Sequence, residues 1–456
     1  MKLELQPTPS SFRDPAGFVV NAGGVYKRIV TQYGREDYNL LMGSGLHGEL
    51  VSAGLLIPHV EEDEYGSESP GLYKLLRPEQ LEFISYPYEW SFSQLKDAAL
   101  LTLDVQKRAL RRGLSLKDAS AFNVQFRGTR PVFLDTLSFE RDRGGPWVAY
   151  EQFCRHFLAP LLLGSELPFA TQYLRVDLSG FPLEWASRAL NWRSYLKFGP
   201  LVHIHLHARA NRRFTDGGEP ESKLSQPANT KAAIAESLTR AVERLKAPKP
   251  VGPACGPPWM EDYDQGVSRF RSHFLRSVLR GIRPCLVYDL GGAASAFGRL
   301  AASEGCRCIL CDPDPIAVDR AYREGVKTGN GLAFPLVMDL RNPSPALGFG
   351  LVERQSFFER PNAGLVLALG MLHHLRLSES IPFAQLAETF ARFGSRLLIE
   401  FASLEDEAVR RVVARRTFIP DDYSLQGCIS AFSRHFKLLV ESRIPETERW
   451  LLLFGR

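Results

Sequence analysis

Three acids in the C-terminal part of the chain stand at the ends of short apolar runs. CLVYDL (285–290) carries Asp289 and leads into Gly291-Gly292-Ala293-Ala294-Ser295, CILCD (308–312) closes on Asp312, and LVMD (336–339) closes on Asp339. Small residues after a strand let the backbone turn tightly and approach a ligand, and a following helix presents unpaired N–H groups. A carboxylate at Asp312 can accept hydrogen bonds from both hydroxyls of a ribose, and one at Asp339 can stand beside an adenine amino group. Proton transfer has its own candidates. His373 and His374 in GMLHHL (370–375) can exchange a proton near neutral pH, and Glu400 lies in LLIEFA (397–402). Helix-start capping and packing is an equal reading of the two histidines. No G-x-G-x-x-G is present, which counts against a dinucleotide.

The elements that must position these groups alternate. Apolar runs at 285–290, 308–312, 363–369 and 396–402 read as buried strands, with helical spacing in AFGRLAASEG and PIAVDRAYREG between them. FKLLVESRI and RWLLLFG read as a closing pair. Strands alternating with helices predict a mostly parallel sheet covered on both faces, and such sheets bind ligands beyond the carboxyl ends of their strands.

This series resembles that of class I S-adenosylmethionine-dependent methyltransferases. The resemblance implies an α/β, Rossmann-like seven-stranded methyltransferase sheet over residues 265–456 with S-adenosyl-L-methionine as cofactor. It places Gly291 and Gly292 at the methionine moiety, Asp312 at the ribose and Asp339 at the adenine, with Asp289 also among the cofactor-binding residues. Ala293 and Ser295 stand where such loops carry glycine, and Gly364 stands where an acid is usual. PLVMDLRNPSPALGF (335–349), Glu353-Arg354, LALGMLHHLRL (367–377), FISYPYEWSFSQLKDAALLTL (83–103), LKDASAFNVQF (116–126), VFLDTLSFE (132–140) and PWVAYEQFCRHFLAPL (146–161) narrow it. They resemble a bacterial family of class I methyltransferases that includes the rhizobial nodulation protein NoeA.

The N-terminal half carries a second constellation. Asp118, Asn123 five residues later and Asp135 after two short strands have the spacing of a kinase core, in which the first acid orients a hydroxyl and the other two hold magnesium. GFVV-NAGG-VYKRIV reads as a hairpin that puts Lys27 or Arg28 at the phosphate-pairing position, with Glu49 on the partner helix. Residues 12–207 are therefore expected to form an α+β kinase-like, pseudokinase-type domain after a tail at 1–11. No Gly-rich phosphate loop is present, and DTL stands for DFG. The plain reading of Asp118 and Asn123 is that they cap a turn.

Residues 208–264 read as a polar loop, a helix at about 230–246 and a Pro/Gly linker. The 456 residues carry a formal net charge of +5, with 45% hydrophobic and 23% charged residues, a soluble, multi-domain composition. No basic stripe interleaved with aromatics argues for nucleic acid. No apolar run reaches the ~18 residues of a membrane span, and the start lacks a signal-peptide core. Seven cysteines, mostly in strand-like contexts, point to the reducing cytoplasm. Cys306-x-Cys308-x-x-Cys311 has no matching ligand pair, so buried thiols are expected and no metal. His203-Ile204-His205-Leu206-His207 reads as polar surface; as a strand its imidazoles lie about 7 Å apart, too far to share one zinc, and as a helix His203 and His207 share a face. The expected activity is methyl transfer to a small-molecule acceptor, with the N-terminal domain as a substrate-binding or regulatory platform. The alternatives are an inactive scaffold keeping both folds, or an ATP-dependent phosphotransferase.

Overall fold

The computed structural model describes residues 7–62, 71–210, 229–250, 265–292, 296–414 and 416–456. The chain divides into two units, Met1–Pro248 with Pro345–Ser356, and Lys249–Ser344 with Phe357–Arg456.

In the first unit, β1 (Gly17–Ala22) and β2 (Val25–Thr31) form the hairpin read from the sequence. Its turn holds Gly23 and Gly24 at φ +62° and +90°, where glycine avoids Cβ strain. The helices Arg35–Gly43 and Leu46–Ser52 follow, and β3 (His59–Glu62) and β4 (Leu72–Pro78) complete an antiparallel sheet in the order β1-β2-β4-β3. A helix then runs over Phe92–Arg111, started by a reciprocal cap between Ser91 and Gln94. Beyond it β5 (Leu114–Leu116) pairs with β8 (Phe139–Arg141), and β6 (Val124–Arg127) with β7 (Arg130–Phe133).

Two segments fall in this unit that composition placed elsewhere. The helix Asn229–Glu243 packs along Phe92–Arg111, and Lys96 Nζ donates to the carbonyls of Glu243 and Leu245 at 2.8 and 2.7 Å. Pro345–Ser356, read as part of the C-terminal domain, packs here through Glu353, which accepts from Arg13, and through Arg354, whose guanidinium lies 4.4 Å from the Phe122 ring centre.

The histidine run differs from its expectation. Leu201–Leu206 is a π-helical turn with His203 and His205 buried, so these imidazoles are not polar surface. Their ring nitrogens are satisfied inside the fold, by Tyr150 and Ser237 for His203 and by Ser187 and Ser194 for His205, which offsets the cost of burying them.

The second unit is built on a seven-stranded sheet: β9 (Leu286–Asp289), β10 (Arg307–Asp312), β11 (Ala333–Val337), β12 (Leu365–Ala368), β13 (Arg396–Ala402), β14 (Lys437–Arg443) and β15 (Arg449–Gly455), in the order β11-β10-β9-β12-β13-β15-β14. β9 to β13 are parallel, and β15 runs antiparallel between β13 and β14. The central strands are mostly apolar because both faces are covered, with Asp289 and Asp312 at their carboxyl ends. Val287, Cys308, Leu310, Leu365, Leu367 and Leu398 pack in one core with Leu275 and Leu279 of the helix Gln265–Ile282. Strand order reverses between β9 and β12, which makes the carboxyl edge there the topological switch point where open α/β sheets bind ligands. The six cysteines among the described residues are free, and none of the described helices is long and apolar enough to cross a membrane.

Candidate functional site

β9 delivers Asp289 to the carboxyl edge, buried, with Oδ2 accepting from the Gly298 N–H at 2.8 Å. Gly298 lies in the first turn of the helix Phe297–Ser303, so the acid ties the loop's end back to the strand that begins it. Gly291 and Gly292 are buried beside it. A β-carbon at Gly292 would stand 2.2 Å from Asp289 Cγ, and one at Gly298 would stand 2.2 Å from Leu310 Cδ2. Both distances are far inside van der Waals contact, so glycine is needed at both. Gly292 N also donates to the Cys311 carbonyl at 3.1 Å, which brings the loop to the residue preceding Asp312. Ala293 and Ser295 lie outside the described residues.

Asp312, at the end of β10, is fully buried, and its Oδ1 accepts from the Asp314 N–H at 2.9 Å. Asp314 caps the helix Pro315–Thr328. Asp339 follows β11 by two residues and is clamped by Arg341, with Nε on Oδ1 and Nη2 on Oδ2, each at 2.9 Å. Arg341 also reaches Glu379 at 2.9 Å, and these two carboxylates raise its pKa. Gly364 precedes β12 at the opposite edge, where a β-carbon would stand 3.0 Å from Pro284 Cβ. An acid there would not point at the carboxyl edge; the position is one of close packing.

After β12 the chain turns at Gly370, φ +67°, and enters a helical segment with His373 and His374 buried and their ring centres 4.1 Å apart. Burial is the main cause that lowers both pKa values, His374 to about 4 and His373 well below its ordinary range, with His374, Arg449 and Arg271 acting in the same direction on His373. Both rings are therefore neutral at pH 7. His373 Nε2 has no hydrogen-bond partner among the described residues.

Glu400, two residues before the end of β13, is 1% exposed. Its Oε1 accepts from Arg271 and, at 3.0 Å, from Arg449 Nη1. Arg449 in turn holds both oxygens of Asp406, at 2.6 and 2.8 Å. Glu400 is thus the shared counter-ion of two buried guanidiniums, an arrangement that the sequence does not reveal.

In the first unit, Asp118, Asn123 and Asp135 do converge. They line a cavity of about 390 Å3 with Arg13, Arg28 and Lys117. Lys27 does not join them: it pairs with Glu62 at 2.6 Å, because neighbouring residues of a strand point to opposite faces. Arg28 enters instead, its Nη2 2.7 Å from Asp135 Oδ1. Glu49 pairs with Arg108 and Arg112 rather than with either of these. Asp135 Oδ1 also accepts from Leu137 N at 2.9 Å and Oδ2 from Ser138 Oγ at 2.6 Å. Asp118 Oδ1 accepts from Ser120 N at 2.9 Å, the turn cap weighed from sequence, and burial first, then Asp135, raises its pKa.

No protein-family model matches the chain. Nodulation protein NoeA of Rhizobium meliloti (strain 1021) is 32% identical over 465 residues, covering 98% of this chain and 95% of that one. Among solved structures, the N-methyltransferase NodS of Bradyrhizobium japonicum WM9 aligns with 42% of this chain and 98% of its own at TM-score 0.32 and 16% identity. The bifunctional kinase-methyltransferase WbdD aligns with 43% of this chain and 40% of its own at TM-score 0.31 and 16% identity. The identity to nodulation protein NoeA extends over nearly the whole of both chains, and the chain belongs to the NoeA family.

Proposed function

We propose that the second unit transfers a methyl group from S-adenosyl-L-methionine to a small-molecule acceptor. The observation that carries this reading is the meeting of Asp289, Gly292 and the β10 end bearing Asp312 beside the switch point, with glycine where a β-carbon would fill the cradle. A nucleoside cofactor suits this donor set: backbone at Gly291 and Gly292 can approach it closely, Asp312 can take its ribose hydroxyls, and Asp339, oriented by Arg341, can take its adenine side. Bound there, the cofactor would supply an electrophilic methyl group.

The chain's own part is then to hold the acceptor in line and remove its proton, the first of which supplies most of the rate. His373 is assigned as proton acceptor, since its ring is neutral and Nε2 is uncommitted within the fold. His374 packs against it with the two rings tilted by 40°. Glu400 is assigned a supporting role, because its Oε1 already serves two guanidiniums. The first unit is assigned as a kinase-like platform rather than a phosphotransferase. The hairpin and the cleft lined by Asp118, Asn123 and Asp135 support the platform reading, while both Asp135 oxygens that would hold magnesium are taken by Arg28, Leu137 and Ser138.

Thermal melting with S-adenosylhomocysteine, which binds without reacting, tests the cofactor assignment. Stabilisation should rise with the logarithm of ligand concentration above the dissociation constant. An unchanged melting temperature at millimolar ligand would leave the inactive scaffold as the better reading.

A further inference from the structure

The histidine run supplies a second constellation, away from the methyl-transfer residues. His203 Nδ1 lies 2.7 Å from the Tyr150 hydroxyl, and Nε2 lies 2.9 Å from Ser237 Oγ on the helix Asn229–Glu243. With its proton on Nδ1 and donated to the Tyr150 oxygen, His203 has Nε2 free to accept the Ser237 proton. His207, one helical turn on, stacks on Tyr150 with ring centres 4.7 Å apart and planes within 7°. A hydroxyl bonded to a base, with the base oriented by a third group, is the arrangement that activates a serine nucleophile.

Ser187 and Ser194 bond His205 as Ser237 bonds His203, but Ser187 does not line the cavity on which Ser237 lies. Ser194 also bonds a histidine, His205 Nε2 at 2.7 Å, but it gives its own proton to the Asn191 carbonyl at 2.6 Å and is buried. Ser237 is half-exposed and has His203 as its hydrogen-bond partner among the described residues. Ser237 and His203 line a cavity of about 1270 Å3 whose walls include apolar Leu196, Phe198 and Ile234 and basic Arg193, Lys197 and Arg244. π-helical turns such as Leu201–Leu206, which carries His203, are frequent at functional sites.

We propose that Ser237 is a nucleophile activated by His203, and that this cavity takes carboxylic esters joining an apolar acyl group to an anionic alcohol. Ser237 Oγ adds to the ester carbonyl as its proton passes to His203 Nε2. The carbon–oxygen bond to the alcohol breaks, and the alcohol leaves with that proton. Water then attacks the acyl-serine, giving its proton to His203 and releasing the acid and the free serine. Tyr150 is a positioning residue for the imidazole. The inference is independent of the methyltransferase reading, since every residue it uses lies in the first unit.

The test is labelling of the full-length protein with a fluorophosphonate, in which the serine oxygen bonds to phosphorus and fluoride leaves. Peptide mapping should find the label on Ser237, none at that peptide in Ser237→Ala, and labelling in His203→Gln slower by roughly a hundredfold. On the native protein the rate should rise to a plateau as His203 loses its proton, and Tyr150→Phe should move that midpoint. The profile keeps the test valid if His203→Gln fails to fold. Hydrolysis of p-nitrophenyl butyrate should be lost in Ser237→Ala. The proposal is overturned if Ser237 stays unlabelled at millimolar probe, if His203→Gln labels at the native rate, or if the native rate only climbs with hydroxide and shows no plateau.

Discussion

Gly292 lies so close to Asp289 that a β-carbon on it would stand 2.4 Å from the carboxylate Oδ2 that holds the Gly298 N–H. The acid, the glycine and the following helix are one packed unit, and disturbing any of them moves the others.

Gly292→Ala should therefore destabilise the second unit by about 1–3 kcal/mol, the usual cost of overpacking, and should weaken S-adenosylmethionine binding by about tenfold or more. Denaturant titration and calorimetry on the same preparation check both. An alanine variant with native stability and native binding would show that the loop does not hold this geometry.

The network Arg271–Glu400–Arg449–Asp406 makes a different prediction. Glu400→Gln would take from buried Arg271 its Glu400 counter-ion while Arg449 keeps Asp406, and breaking a buried pair by removing one partner costs about 3–5 kcal/mol. The denaturation midpoint should fall accordingly. If the variant is as stable as the native protein and only turnover is lost, Glu400 is a proton carrier and not a structural charge.

Acid should destabilise the chain through its buried histidines. Burial is the first cause that pushes His59, His156, His203 and His374 down to about 4. His156 shows why: its Nδ1 accepts the Ala121 N–H at 3.3 Å, which a protonated nitrogen cannot do. The unfolded chain takes up these protons near pH 6.5 and the folded chain only near 4, so stability is fully present above about 6.5 and is lost as pH falls to 4. Each fully buried ring contributes a loss on the order of 3 kcal/mol across that window. Unfolding midpoints measured from pH 7 to 4 should fall, and a flat profile would contradict the neutral, buried assignment.

The first unit's cleft should be indifferent to divalent metal. With Arg28 on Asp135 Oδ1 at 2.7 Å, millimolar magnesium with or without ATP should leave the melting temperature unchanged. Magnesium-dependent ATP binding that is lost in Asp135→Ala would restore the phosphotransferase reading.

The parallel strands of the second unit were legible because strands buried on both faces are written as short apolar runs. Asp289 and Asp312 were legible because each closes one. The partners of Glu400 were not: Arg271 and Arg449 lie 129 and 49 residues away, and a contact closed only by the tertiary fold leaves no local pattern. The choice of Arg28 over Lys27 turns on strand register, where one residue's shift exchanges the two faces. The histidines at 203–207 alternate like strand residues, yet burial of Ile204 and Ala208 comes with a helical turn that carries His203 and His207 to one tyrosine. Pro345–Ser356 carried no mark of belonging to the first unit, because the sequence around it continues the second unit's pattern.

Calorimetric titration of the native chain and of Asp312→Asn with S-adenosyl-L-methionine tests the central claim most directly. Asparagine keeps an oxygen for the Asp314 N–H but not the ionised acceptor for ribose hydroxyls, and a hydrogen bond to a charged group contributes about 1.5–3 kcal/mol. Saturable binding is expected for the native chain, weakened roughly tenfold to a hundredfold in the variant. Equal affinities, or no heat from either protein at millimolar cofactor, would contradict it.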